Sequence, residues 1–265
     1  MDEPRFLYHA HGVGLGGHIK RPFCSVIEAQ GATALPIGGG YASNQVDRYR
    51  FHDIVSVRST RIHAVGTRDD NGGFNTSVSV TVEGLNILDV ITAESITARL
   101  SSFHGRDGSQ PRITALGSDF RDLRIGGHPL DVKLERELFC EELAHKDFKG
   151  YVEKNRQTLS RQFLWGNDDR ERQEYGKVVP QGPQGAWPES KGIVLCSLVR
   201  SVGTGPELKP QGYVIRIPMV GTLYLGEVIV SEYARRLTML RLEMGSPVEG
   251  RLEACSGEVD GSTYP

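Results

Sequence analysis

Neither sign of charge is in excess: 31 Lys and Arg face 33 Asp and Glu, a formal net charge of −2 over 265 residues. Binding to nucleic acid or an anionic membrane needs a concentrated surplus of Lys and Arg, so neither partner is expected. Long apolar runs are missing too, and nothing approaches the ~18 uncharged residues that a spanning helix requires. No C-x-x-C pair exists, since Cys24, Cys140, Cys196 and Cys255 stand singly along the chain. That argues against a zinc ribbon or a thioredoxin-like site and predicts reduced cysteines packed in a core. The start, Met1-Asp2-Glu3-Pro4-Arg5-Phe6-Leu7-Tyr8-His9, has no apolar stretch of the signal-peptide kind, which predicts a cytoplasmic location.

What the chain does have is glycine, 32 of them, and a recurring strand pattern. Val55–Arg58, Ser77–Val82 and Ile113–Leu116 alternate apolar and polar residues and are rich in Val, Ile and Thr, as half-buried strands are. The clusters Arg68–Gly73 and Gly105–Ser109 separate them and read as hairpin ends, because Asn, Asp and Gly tolerate positive φ. Gly12-Val13-Gly14-Leu15-Gly16-Gly17 matches the spacing of a dinucleotide fingerprint. Its setting is wrong, since Pro22 stands where the helix should run, and the segment reads as a flexible or strand-edge stretch. From 133 the apolar spacing turns helical, with Leu134, Leu138 and Leu143 on successive turns, predicting helix to about Phe163 and then a Pro/Gly-rich excursion. Strands resume at 192–199, 213–218 and 237–244, and the polar end is expected to fray.

The resulting organisation is an N-terminal glycine/His-rich arm (1–22), a first β portion (23–132), a helical and Pro/Gly-rich insertion (133–190), a second β portion (191–255) and a flexible tail (256–265). Two internal echoes support repeated strand units. At an offset of 38, Arg61-Ile62 aligns with Arg99-Leu100, and Val82, Leu85 and Ile87 align with Phe120, Leu123 and Ile125. At an offset of 138, Val82, Leu85, Ile87 and Glu94 align with Val220, Leu223, Leu225 and Glu232. The expected fold is all-β: an antiparallel sandwich or compact stacked sheets carrying a helical/loop insertion.

Thr76–Leu100, with its Asp89–Ala98 core, and Gly117–Gly127 are similar to the choice-of-anchor P family of β-rich bacterial proteins. Ile217–Glu227 and Leu237–Met244 look like that family's closing segment, so the resemblance covers 75–132 and 212–245. The chain departs from the family by the missing signal and wall-anchoring tail and by the insertion at 133–190. The resemblance implies a non-catalytic β scaffold with no assigned active site, and by analogy an extracellular location as the alternative to the cytoplasm.

Several residues are candidates for chemistry. His9 and His11 share one face of a strand, and with His18 they would supply three imidazoles for a metal; the competing reading is a surface cluster near a terminus, since no Glu or Asp partner is evident. His52-Asp53 with His63 could act as an acid–base pair across strands, although a strand histidine more often hydrogen-bonds backbone. The Asp69–Gly72 loop begins like a calcium loop but lacks its later ligands, and a hairpin turn explains it. Cys196 and Ser197 lack the glycine turn and the base that a nucleophile needs. Trp187, Tyr213 and Tyr224 could stack a sugar or peptide, or serve as core and loop anchors. Glu94 and Glu232 occupy equivalent positions in the longer echo and would form a like-charge pair if the units meet; otherwise each pairs with an arginine, Arg99 or Arg235/Arg236.

The function that follows is a non-catalytic structural or binding protein, a scaffold partnered by itself or another protein and requiring no cofactor. The glycines at 12–17 and 38–40 would form an exchangeable arm in such an assembly. One alternative is a carbohydrate-active hydrolase or lyase using Glu94, Glu232 and His52; another is a metal-binding protein built on His9, His11 and His18.

Overall fold

The computed structural model describes residues 5–105, 111–136, 193–205, 208, 210–231 and 235–264. Its first six strands are long: β1 (Arg5–Arg21), β2 (Ser25–Ala34), β3 (Gly40–Phe51), β4 (Val55–Arg68), β5 (Phe74–Ile87) and β6 (Ile91–His104). Five short ones follow: β7 (Arg112–Thr114), β8 (Asp119–Arg121), β9 (Arg124–Ile125), β10 (His128–Pro129) and β11 (Asp131–Leu134). The remainder are β12 (Ile193–Ser197), β13 (Val199–Gly203), β14 (Val214–Ile217), β15 (Gly221–Ser231), β16 (Arg235–Met244) and β17 (Glu249–Tyr264). One sheet runs β12-β15-β16-β17-β1-β2, with β14 also on β15. The other runs β10-β9-β6-β5-β4-β3, with β7 and β8 also on β6, and β11 pairs with β13 apart from both. The pairings are antiparallel, and β1 and β17 pack across β4, β5 and β6. The fold is therefore all-β, two antiparallel sheets face to face around an apolar core. Among the described residues no helix is long and apolar enough to cross a membrane.

Both sheets carry a transverse crease in which every second strand holds one left-handed residue. In the first sheet the row is Gly226, Met239, Cys255, Gly14 and Gly31, where each ladder passes from the pair on one side to the pair on the other. Gly226, Cys255 and Gly31 have φ of 61°, 61° and 67°. In the second sheet it is Arg48, Arg58, Gly84, Glu94 and Asp122, with φ of 55°, 60° and 49° at Arg48, Gly84 and Asp122. A left-handed residue inside a strand turns the chain so that the inward side changes parity. On β5 the buried positions are Phe74, Thr76, Val78, Val80 and Val82 before Gly84, then Leu85 and Ile87 after it. The Cys255 thiol, fully buried by its inverted backbone, lies against the Val80 and Ile96 carbonyls at 3.0 and 3.3 Å and accepts from Ala98 N–H at 3.0 Å.

The 38-residue echo is this crease seen in sequence. Gly84 recurs as Asp122, and the left-handed turn pair Leu88-Asp89 recurs as Gly126-Gly127. The 138-residue echo has no such counterpart: Leu88-Asp89 is a turn, whereas the aligned Gly226-Glu227 lies inside β15. Asp89 thus heads a turn, held by Asn86 through two hydrogen bonds, and is no part of a strand core.

The glycine/His-rich arm expected at 1–22 is β1, an interior strand held between β17 and β2. The residues expected to fray, 256–265, continue β17 as far as Tyr264, which faces Arg5. Glycine at 12 and 14 serves close sheet contact: a Cβ on Gly12 would lie 2.7 Å from Val80 Cγ2, and one on Gly14 2.6 Å from the Gln30 carbonyl and from Thr60 Cβ. Backbone and a β-branched side chain cannot give way there. Gly14→Ala is expected to cost about 1–3 kcal/mol by overpacking, read as a lower urea midpoint; an unchanged midpoint would mean the sheets part freely. At the predicted helix start, Lys133 and Leu134 belong to β11, and Glu135 N–H bonds Leu198 O at 2.6 Å, a strand geometry imposed by pairing with β13. The rest of the predicted helix and insertion, 137–190, lies outside the described residues.

Candidate functional site

The outer face of the first sheet gathers the one mixed cluster of metal-ligand type found among the described residues: His9, His11 and Glu258. Strand pleating sends His9 and His11 to the same side, and their rings stand 5.5 Å apart at 54°. The β1–β17 register puts Glu258 directly across from His11, with Oε2 3.8 Å from Nε2. One ligand atom from each of the three lies within 4.8 Å of the others. Asp260 faces His9 one pleat along. Partial burial pushes the His11 imidazole down from its usual range; Glu258 pulls it back up, while His9 and Arg236 push it further down. Asp260 is raised, chiefly by burial, against the lowering influence of the Gly261 backbone, Arg235 and His9. His18 is not in this group. It lies beyond the register shift that follows Leu15, opposite Arg251 and Val26. The acidic member of the cluster was not legible in the sequence because it sits on β17, and only the pairing register reveals it.

Among the described acid–base candidates, Glu94, His52 and His63 are not brought together. Glu94 is exposed in the crease of β6, and Glu232 lies outside the described residues. His52 follows β3, stacked on Phe23 at 4.7 Å and edge-on to Phe51, while Asp53 is ion-paired with Arg50. β3 and β6 are three strand spacings apart, about 14 Å, beyond the carboxylate separations of glycoside hydrolysis. His63 bonds the Tyr41 hydroxyl at 2.7 Å and lies some eight residues up β4 from Val55, the partner of Phe51, or about 26 Å from that end. Arg236, offered as a partner for Glu232, binds Glu253 at 2.8 Å.

The remaining candidates are structural. Asp69 closes its hairpin by accepting from Gly73 N–H at 2.6 Å and from Gly72 N–H at its own carbonyl. Ser197 donates to Leu225 O and accepts from Val199 N–H, fixing the step from β12 to β13. Cys196 and Cys255 are buried free thiols, raised by desolvation, but Cys24 is exposed, against the expectation of a core position. Cys140 and Trp187 lie outside the described residues. Tyr213 and Tyr224 are buried and offer no stacking surface. Tyr224 instead lies under the Arg241 guanidinium, 3.6 Å from the ring centroid.

The second open feature is an edge. β3 ends its sheet and β2 ends the other, and the two lie side by side. Along β3 only Ala42, Val46, Tyr49 and Phe51 are partly covered; the other eight positions are exposed. Phe23, Val26, Ile37 and Tyr41, in or next to these strands, are exposed by 41–73%.

A family model matches residues 6–231. The chain belongs to that family, Domain of unknown function (DUF8256). The DUF8256 match opens in β1 and closes at the last residue of β15, so it includes His9, His11 and the β3 edge, while Glu258 lies beyond it. No curated protein and no solved structure matches the chain.

Proposed function

We propose that this protein is a non-catalytic β scaffold that associates with a second copy of itself along β3. The observation that carries the reading is a 12-residue edge strand whose outer backbone has no strand partner among the described residues and whose side chains are mostly exposed. Monomeric proteins blunt such edges with proline, short strands, bulges or runs of like charge. β3 contains no proline, and its Asp47, Arg48 and Arg50 offer both signs to an antiparallel copy. Phe23, Val26, Ile37 and Tyr41, in or next to β2 and β3, leave exposed apolar surface near this edge. The resemblance to choice-of-anchor P proteins points the same way, toward a scaffold.

Sedimentation equilibrium across a concentration series tests the proposal. The unmodified chain is expected to show a mass above 29.2 kDa that rises with concentration. Replacing Ser43 and Gln45 with lysine places like charges opposite one another in a paired edge and is expected to return the monomer. A monomeric mass at every concentration for the unmodified chain would overturn it.

A further inference from the structure

We propose that His9, His11 and Glu258 form a binding site for a divalent transition ion, Zn²⁺ foremost, that joins β1 to β17. The three side chains come from two adjacent strands: His11 and Glu258 lie in ladders on both sides, and His9 lies in the β17 ladder, flanked by the Tyr8 N–H to Ile37 O and Leu35 N–H to Ala10 O bonds. Two imidazole nitrogens and one carboxylate oxygen suit a borderline-soft ion and do not suit calcium or magnesium, which take oxygen ligands. Bonds of about 2.0–2.2 Å to one ion place ligand atoms roughly 3.3 Å apart, so the observed span of 4.8 Å needs side-chain rotation of about an ångström and no backbone movement.

A chance surface pairing of histidines does not account for Glu258. The nearest cation on the adjoining strand is Arg236, directly opposite Glu258 in the β16–β17 ladder. Its guanidinium is turned elsewhere, donating to Glu253 at 2.8 Å and to Ser256 Oγ at 3.3 Å, and the Glu258 carboxylate is turned to His11. The set is thus arranged around a shared point on the outer face, leaving the remaining coordination positions to water or to a ligand from outside. An ion there would link the first and last described strands, and it depends on nothing in the β3 edge.

The test is calorimetric titration of Zn²⁺ into tag-free, chelator-treated protein, with thermal melts in parallel. One saturable site per chain is expected, together with a higher melting temperature on Zn²⁺ addition, as binding to the folded state alone requires. His11→Ala and Glu258→Gln are each expected to weaken binding about tenfold or more and to remove the Zn²⁺-dependent rise in melting temperature. His18→Ala is expected to bind as the parent does. Far-UV circular dichroism checks that each variant is folded, and Co²⁺ visible absorption reports the nitrogen and oxygen ligands directly. Full retention of the site in both His11→Ala and Glu258→Gln, or no saturable binding by the parent, would overturn the proposal.

Discussion

Glu227→Ala is expected to destabilise the fold by about 3–5 kcal/mol, the loss typical when one member of a buried ion pair is removed. Arg241 is 3% exposed at its side chain and Glu227 8%. The pair is bidentate, Nε donating to Oε2 at 2.6 Å and Nη2 to Oε1 at 2.8 Å, with the guanidinium seated on the Tyr224 ring and Glu243 on its remaining side. Removing Glu227 takes from the buried Arg241 charge its bidentate carboxylate, while the partly exposed Glu243 stays against it. Urea unfolding measures the effect. A loss below about 1 kcal/mol, the value of a solvent-exposed pair, would show that water reaches Arg241. Replacing Glu227 and Arg241 together by Leu and Met is expected to recover much of the loss, because an apolar pair needs no compensation.

Acidification is expected to remove up to about 3 kcal/mol between pH 6.5 and 4 through His104 alone. Its pKa is lowered to about 4, first by burial, then by the nearby Arg235 cation, with the Gly261 backbone partly opposing. The imidazole packs edge-on to Phe6 at 4.9 Å, and its Nδ1 is buried with no hydrogen-bond partner among the described residues. The folded state therefore holds His104 neutral where the unfolded chain would protonate it. Stability is complete above the unfolded value of about 6.5 and falls as pH drops toward the folded one. His104→Phe, which suits the Phe6–Phe74 stack, is expected to flatten stability over that window. Equal slopes for parent and variant would assign the acid sensitivity to other groups.

The strands and the sandwich were legible because Val, Ile and Thr at period two report a half-buried surface directly. Segments such as Ser77–Val82 fall inside β5. The crease was legible only as an echo. Arg48, Asp122 and Cys255 adopt left-handed backbone without being glycine, and a change of inward parity looks in sequence like a lapse in alternation. Glycine at 12 and 14 suggested mobility, yet these positions are where two sheets approach too closely for a Cβ. The helical spacing around Leu134 and Leu138 was overridden at its start by pairing of β11 with β13, a tertiary partner that no local window contains. Two of the three members of the His9–His11–Glu258 cluster could be read from the sequence, two apart on one strand. Glu258 could not, because it reaches them through a ladder between opposite ends of the chain.

Hydrogen–deuterium exchange of the β3 amides, Gly40–Phe51, at low and high protein concentration tests the scaffold reading most directly. If a second copy adds to this edge, the outward-pointing N–H groups exchange fast in dilute solution and become protected as concentration rises, while those bonded to β4 change little. Fast exchange of the outward amides at every concentration would contradict it.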